Sequence, residues 1–136
     1  MIGIDATMLV KYLTNDNEEQ SQKVLNLLEQ YSGTESSIHI NNIVLCEVVR
    51  VLEAAYKYPK QYITHALKLI LQTPELSFDN HATIIKALYD YEQSNGADFS
   101  DILISISNKD NNCIATYSFH KKSCKQGYFT SLENKI

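Results

Sequence analysis

The sequence lacks the signatures of several common chemistries. Its three cysteines, Cys46, Cys113 and Cys124, are odd in number and form no CxxC pair, and no two histidines stand at HxxxH spacing. Neither a disulfide framework nor a zinc site is expected from that pattern. Two of the cysteines lie in apolar runs, where the residue acts as a small core side chain in a reducing compartment. There is no P-loop and no GxGxxG, so no nucleotide cofactor is expected. The opening Met1-Ile2-Gly3-Ile4-Asp5 carries no basic region and no long apolar segment. This predicts neither a signal peptide nor a membrane span, and hence a cytoplasmic protein. Repeats, low-complexity runs and linkers are missing too, and 44% apolar with 21% charged residues over 136 positions fits one ordered domain spanning 1–136. Excess positive charge is also absent: a formal charge of −4 argues against a broad nucleic-acid-binding face. A small acidic catalytic site with a local basic flank remains compatible with it. Lys109, Lys121, Lys122 and Lys125 are the candidates for that flank, or else ordinary solvated surface.

What is present is an alternation of short strands and helices. Ile2-Gly3-Ile4 reads as a strand ending on Asp5, followed by helical spacing over residues 7–13 and 18–31. Ser37-Ile38-His39-Ile40 alternates as a strand does, and Asn41-Asn42 caps a helix over about 43–57. Pro59 and Pro74 bracket a helix over about 61–71 with Ile63, Leu67, Ile70 and Leu71 as its core face. Leu76-Ser77-Phe78 is a short strand, and Asp79-Asn80 caps a helix carrying Ile84, Ile85, Leu88 and Tyr91. Asn95-Gly96 then breaks the pattern before a helix opened by Asp98. Residues 113–117 read as a buried strand and 127–130 as a weaker last one. This order predicts an α/β fold, a three-layer α/β/α sandwich around a central, mostly parallel sheet of four to five strands. Ligands of such sheets collect beyond the carboxyl ends of the strands.

Four acids fall at those positions. Asp5 ends the first strand, and Glu47 lies a turn into the helix after the second. Asp98 and Asp101 stand three apart at one helix mouth, on one helical face. Each has a local explanation: Asp5 and Asp98 as N-caps, Asp101 as a first-turn acid opposing the macrodipole, and Glu47 as a partner of Arg50 at i+3. Glu47 is flanked by Ile43-Val44-Leu45-Cys46 and Val48-Val49, so its carboxylate is expected to point into protein, where an unpaired charge is strongly unfavourable. One cation would serve all four carboxylates at once. Hard oxygen ligands favour Mg²⁺ or Mn²⁺ over zinc, and the chemistry such a site performs best is phosphodiester hydrolysis. His39, His65 and His81 carry no such pattern. Tyr12 and Tyr117 lie near predicted strand ends, where a ring offers a platform for base stacking.

The blocks Ile4-Asp5-Ala6-Thr7, Leu45-Cys46-Glu47-Val48-Val49-Arg50, Ala97-Asp98-Phe99-Ser100-Asp101-Ile102-Leu103-Ile104 and Ala115-Thr116-Tyr117-Ser118-Phe119-His120-Lys121-Lys122 together resemble a PIN-domain ribonuclease of the VapC toxin type. The resemblance covers essentially the whole chain. It implies a PIN-like sandwich that cleaves RNA with Mg²⁺ or Mn²⁺, a small antitoxin partner and a homodimer. Carried over by position, Asp5, Glu47 and Asp101 are the core acids, Asp98 is the additional aspartate of an AxDFxD block, and Thr7 matches a small hydroxyl or amide position beside the first acid. Lys121, Lys122 and Lys125 are then the RNA-facing cations. The chain departs from the pattern once, with His120 where a TFDK-like segment carries an acid. A histidine there either ligates Mn²⁺, assists proton transfer or merely occupies the position. The departure keeps a second reading open, a catalytically weakened PIN-like module that binds RNA or protein. A third is a small-molecule phosphatase with a similar acidic pocket.

Overall fold

The computed structural model describes residues 1–134. Backbone packing divides the chain into two compact units, Met1–His81 and Ala82–Ile136.

The first unit is built on three parallel strands, β1 (Ile2–Gly3), β2 (Ile38–Ile40) and β3 (Leu76–Phe78), in the order β1-β2-β3. Their register pairs Ile2 with Ile38 and Ile38 with Leu76. Two crossovers supply the helices. α1 (Ala6–Thr14) and α2 (Glu18–Glu29) join β1 to β2, and α3 (Asn42–Ala54) and α4 (Lys60–Leu71) join β2 to β3. The capping chemistry is local throughout. Asp5 accepts from the Met8 N–H at 3.0 Å, Asn17 from Gln20 at 3.0 Å and Asn41 from Val44 at 2.9 Å, each satisfying a donor that the helix itself cannot. Asn15 ends α1 in the left-handed region at φ 51°, its N–H returning to the Lys11 carbonyl. α1 packs on α2 and α3, and α3 on α4. Leu9, Leu45, Val48, Leu52, Ile63, Leu67 and Ile70 are among the side chains buried in this unit.

The carboxyl ends of β2 and β3 are fastened by a polar bridge. His39 places Nδ1 3.0 Å from Ser77 Oγ and Nε2 3.0 Å from Asp79 Oδ1, while Asp79 Oδ2 accepts from the Asn42 N–H at 2.8 Å. The carboxylate of Asp79, part of the Asp79-Asn80 cap expected from the sequence, reaches the first turn of α3, because the parallel register sets β3 beside β2 and brings the two loops together.

All of α5 (His81–Gln93) but its first residue belongs to the second unit, followed by α6 (Phe99–Asp110), β4 (Tyr117–Ser118), α7 (Lys121–Lys125), β5 (Thr130–Ser131) and a 3₁₀ turn, Leu132–Asn134. Ile84, Leu88, Tyr91, Phe99, Ile102 and Leu103 are buried, with the Tyr91 and Phe99 rings edge-to-face at 5.6 Å. β4 and β5 pair in parallel as a sheet of two. The five strands expected from the sequence are therefore present as three and two. The last two are shorter and lie further along the chain than the apolar runs implied. Residues 113–116 are a tie to the end of α6 and no strand: the Cys113 N–H donates to the Asn108 carbonyl, Asn108 Nδ2 donates to Thr116 Oγ1, and Ile114 is fully exposed. Tyr128 and Phe129 likewise send their N–H groups to the Ser123 carbonyl, so strand pairing begins only at Thr130. Cys113 is exposed and Cys46 and Cys124 are half-buried, so none of the three cysteines is a core residue. No helix among the described residues is long and apolar enough to cross a membrane.

Candidate active site

In the first unit, Asp5 follows β1 directly and caps α1. Its Oδ1 is taken by the Met8 N–H, and no donor reaches Oδ2 among the described residues. Thr7, in the first turn of α1, is exposed. Glu47 lies on the exposed side of α3, contrary to the expectation that its apolar neighbours would bury it. The reason is angular. The buried residues Val44, Leu45, Val48, Val49 and Leu52 define one stripe of α3, and at about 100° per residue Glu47 falls well off its centre, as does the exposed Ile43. Glu47 has no hydrogen bond or ion pair among the described residues, so the expected local bridge to Arg50 is not formed either.

The second unit holds its acids differently. Asp98 is the N-cap of α6, and one oxygen takes every contact: Oδ1 accepts from the Ser100 N–H at 2.9 Å, the Ser100 hydroxyl at 2.5 Å and the Asp101 N–H at 3.3 Å. Partial burial pushes its carboxyl upward, but the hydrogen bonds from Ser100 and Asp101 and the neighbouring His120 outweigh this and hold it below the usual carboxylate value. Asp101, one turn in, is largely covered. Its Oδ2 receives Ser123 Oγ at 2.5 Å and lies 2.7 Å from His120 Nδ1. The structure thus brings Asp101 and His120 into direct contact and adds Ser123, which sequence reasoning missed. Ser123 is 1% exposed, and its position three residues after His120 is the one signal that could have found it.

The four lysines do not form one flank. Lys121 and Lys125 line a cavity of about 330 Å³ with Cys124, Ser131 and Glu133. Lys122 turns the other way: its ammonium stands 3.3 Å from where a Cβ on Gly96 would lie, over the loop that leads to Asp98. A side chain at position 96 would crowd that ammonium, and the φ of +80° there also favours glycine. Lys109 is in the last turn of α6, about 16 Å along the helix from Asp98.

Among the described residues, no three His, Cys, Asp or Glu side chains are gathered so as to hold a metal ion. The donor chemistry nonetheless suits a hard divalent cation. Among the described residues, Asp5, Asp98 and Asp101 each keep one carboxylate oxygen without a protein donor, and Glu47 keeps both. Free carboxylate oxygens are what Mg²⁺ and Mn²⁺ bind.

With a parallel α/β scaffold and acids at helix mouths in place, the family assignment follows: the family model described as PIN domain matches residues 2–119, and the chain belongs to the PIN domain family. Within that family it is similar to a VapC ribonuclease from Aquifex aeolicus (strain VF5), 25% identical over 127 residues that make up 93% of each chain.

Proposed function

We propose that this protein is a metal-dependent endoribonuclease, the toxin of a type II toxin–antitoxin pair, working as a single PIN domain in the cytoplasm. The observation that carries the reading is the family match over residues 2–119, a span that contains Asp5, Glu47, Asp98 and Asp101. The similarity to a VapC ribonuclease supports the choice of RNA as substrate.

Asp5, Glu47, Asp98 and Asp101 are the residues that would hold Mg²⁺ or Mn²⁺ through their free oxygens. Such an ion, when bound, polarises a phosphoryl oxygen and lowers the pKa of bound water. The chain's own contribution is orientation. Asp98 is fixed by three contacts on one oxygen and Asp101 by two donors on one oxygen. The N-terminus of α6 adds the positive end of a 12-residue helix beside them, which favours a phosphate there. Lys122, over the Gly96 loop, is the cation best placed to offset the phosphate charge, with Lys121 and Lys125 further along α7. Single-stranded or looped RNA is the substrate form whose backbone enters such a pocket. Thr7 stands beside Asp5 as a further polar contact. The antitoxin partner and the homodimer belong to the same reading.

Purified protein is expected to cleave RNA with Mn²⁺ or Mg²⁺, to stop on addition of EDTA, and to lose activity in Asp5→Asn. Undiminished cleavage by that variant would contradict the assignment of Asp5. Co-expression with a small neighbouring protein is expected to relieve growth arrest if the partner is an antitoxin. A second reading, a PIN-like binding module with weakened catalysis, is favoured by one observation: His120 supplies an imidazole, bonded to Asp101, where an acid is expected. Calorimetric titration with Mn²⁺ separates the two, since a protein that takes up no divalent ion cannot use this chemistry.

A further inference from the structure

We propose, resting on the reading of Asp101 as a metal-holding acid, that His120 is a positioning residue: with Ser123 it pins Oδ2 of Asp101 and leaves Oδ1 as the oxygen that would hold a cation. The imidazole thereby stands in for the expected acid by orienting a ligand, not by adding one.

The argument begins with proton placement. Ser123 is buried, and its single hydroxyl proton is directed at Asp101 Oδ2 at 2.5 Å. His120 Nδ1 lies 2.7 Å from the same Oδ2 and 3.0 Å from Ser123 Oγ. An ionised carboxylate only accepts, and the serine oxygen has already given its hydrogen away, so Nδ1 faces two acceptors and must carry a proton. Nδ1–H therefore donates to Asp101, with Ser123 Oγ as a weaker second acceptor. Among the described residues two donors converge on Oδ2 and none on Oδ1, which restrains the carboxylate.

The backbone holds His120 for this purpose. It occupies the N-cap position of α7, where a side chain ordinarily bonds to the first-turn N–H groups, yet its ring makes no such cap. Its own N–H is taken by Ser118 Oγ at 2.9 Å, and its carbonyl accepts from the Cys124 N–H at 3.1 Å. With the main chain fastened on both sides, the ring is free to reach Asp101. An imidazole there also avoids the repulsion that a second carboxylate would bring against Asp101.

The test uses two amides that mimic different ring nitrogens. The side-chain NH₂ of Asn occupies the region of Nδ1 and that of Gln the region of Nε2. Full-length wild type, His120→Asn, His120→Gln and Ser123→Ala are titrated with Mn²⁺ by electron paramagnetic resonance, with melting temperatures as a folding control and RNA cleavage as a second readout. Loss of an outer-shell partner typically weakens metal affinity 10–100-fold, so His120→Gln is expected to bind Mn²⁺ about tenfold or more weakly, with His120→Asn within about threefold of wild type. Ser123→Ala shifts affinity in the same direction as His120→Gln. Affinity retained in Gln and lost in Asn assigns Nε2 as a metal ligand and overturns the proposal, as does equal affinity in all variants. Wild-type protein that binds no Mn²⁺ overturns the metal reading itself, an outcome distinct from either.

Discussion

Asp5 and Asp98 do the same local job in the two units, each closing the mouth of a helix, but what stands beside them differs. Asp98 is followed one turn later by Asp101, whose Oδ2 is held by Ser123 and His120. In the first unit, Glu47 stands exposed on α3 with no partner among the described residues. One acidic pair is held by protein donors, whereas Glu47 has none among the described residues. Substitutions in the second unit should therefore disturb folding and chemistry together, whereas Glu47 should affect chemistry alone.

The contrast can be broken at four points, in decreasing order of effect. Asp101→Asn is expected to lower RNA cleavage on the order of a hundredfold or more, the scale seen when one preorganised electrostatic group is removed from a reaction centre; a rate assay on labelled RNA reads it. Ser123→Ala removes a buried donor from a carboxylate and should cost about 1–3 kcal/mol of stability in urea unfolding. Asp98→Ala deletes a helix cap and should cost about 1 kcal/mol near neutral pH. That cost has a pH signature. Asp98's carboxyl is held below its usual value in the folded protein, so between the two values the unfolded chain binds the extra proton. The stabilisation is complete above the ordinary carboxylate range and disappears as pH falls through the lowered value. The gap between wild type and Asp98→Ala should accordingly narrow below about pH 4. Glu47→Gln, last, should change stability by no more than about 0.5 kcal/mol, as for an unpartnered surface group, while weakening Mn²⁺ binding. A large loss of stability there would mean that Glu47 has a structural partner and that the contrast between the units is false.

Local chemistry was readable from the chain and long-range pairing was not. The caps at Asp5, Asn41 and Asp98 are each fixed by residues within three positions, and all three carry the expected hydrogen bonds. The parallel strands at residues 2–3, 38–40 and 76–78 were legible because apolar runs alternate with helices long enough for crossovers. Glu47 was misread because apolar neighbours in sequence were taken for a surrounding wall, when helical geometry puts it off the buried stripe. Residues 113–116 failed for a similar reason: an apolar run after a helix was read as sheet, while the Cys113 N–H donates to the Asn108 carbonyl and Thr116 Oγ1 accepts from the Asn108 amide. The pairs His39–Asp79 and Asp101–His120 span 40 and 19 residues, and no spacing rule announces them. Of the candidate site, the aspartates were therefore visible and the groups that orient Asp101 only half so: His120 was noticed as a departure, and Ser123 was not noticed at all.

The central claim is that this chain's acids cleave RNA with the help of a divalent ion. Incubating purified wild type and Asp101→Asn with a labelled single-stranded RNA, with Mn²⁺ and with excess EDTA, tests it directly. Discrete cleavage by wild type with Mn²⁺, abolished by EDTA and by Asp101→Asn, is the predicted result. Cleavage that persists in EDTA, or at equal rates in the two proteins, would contradict it.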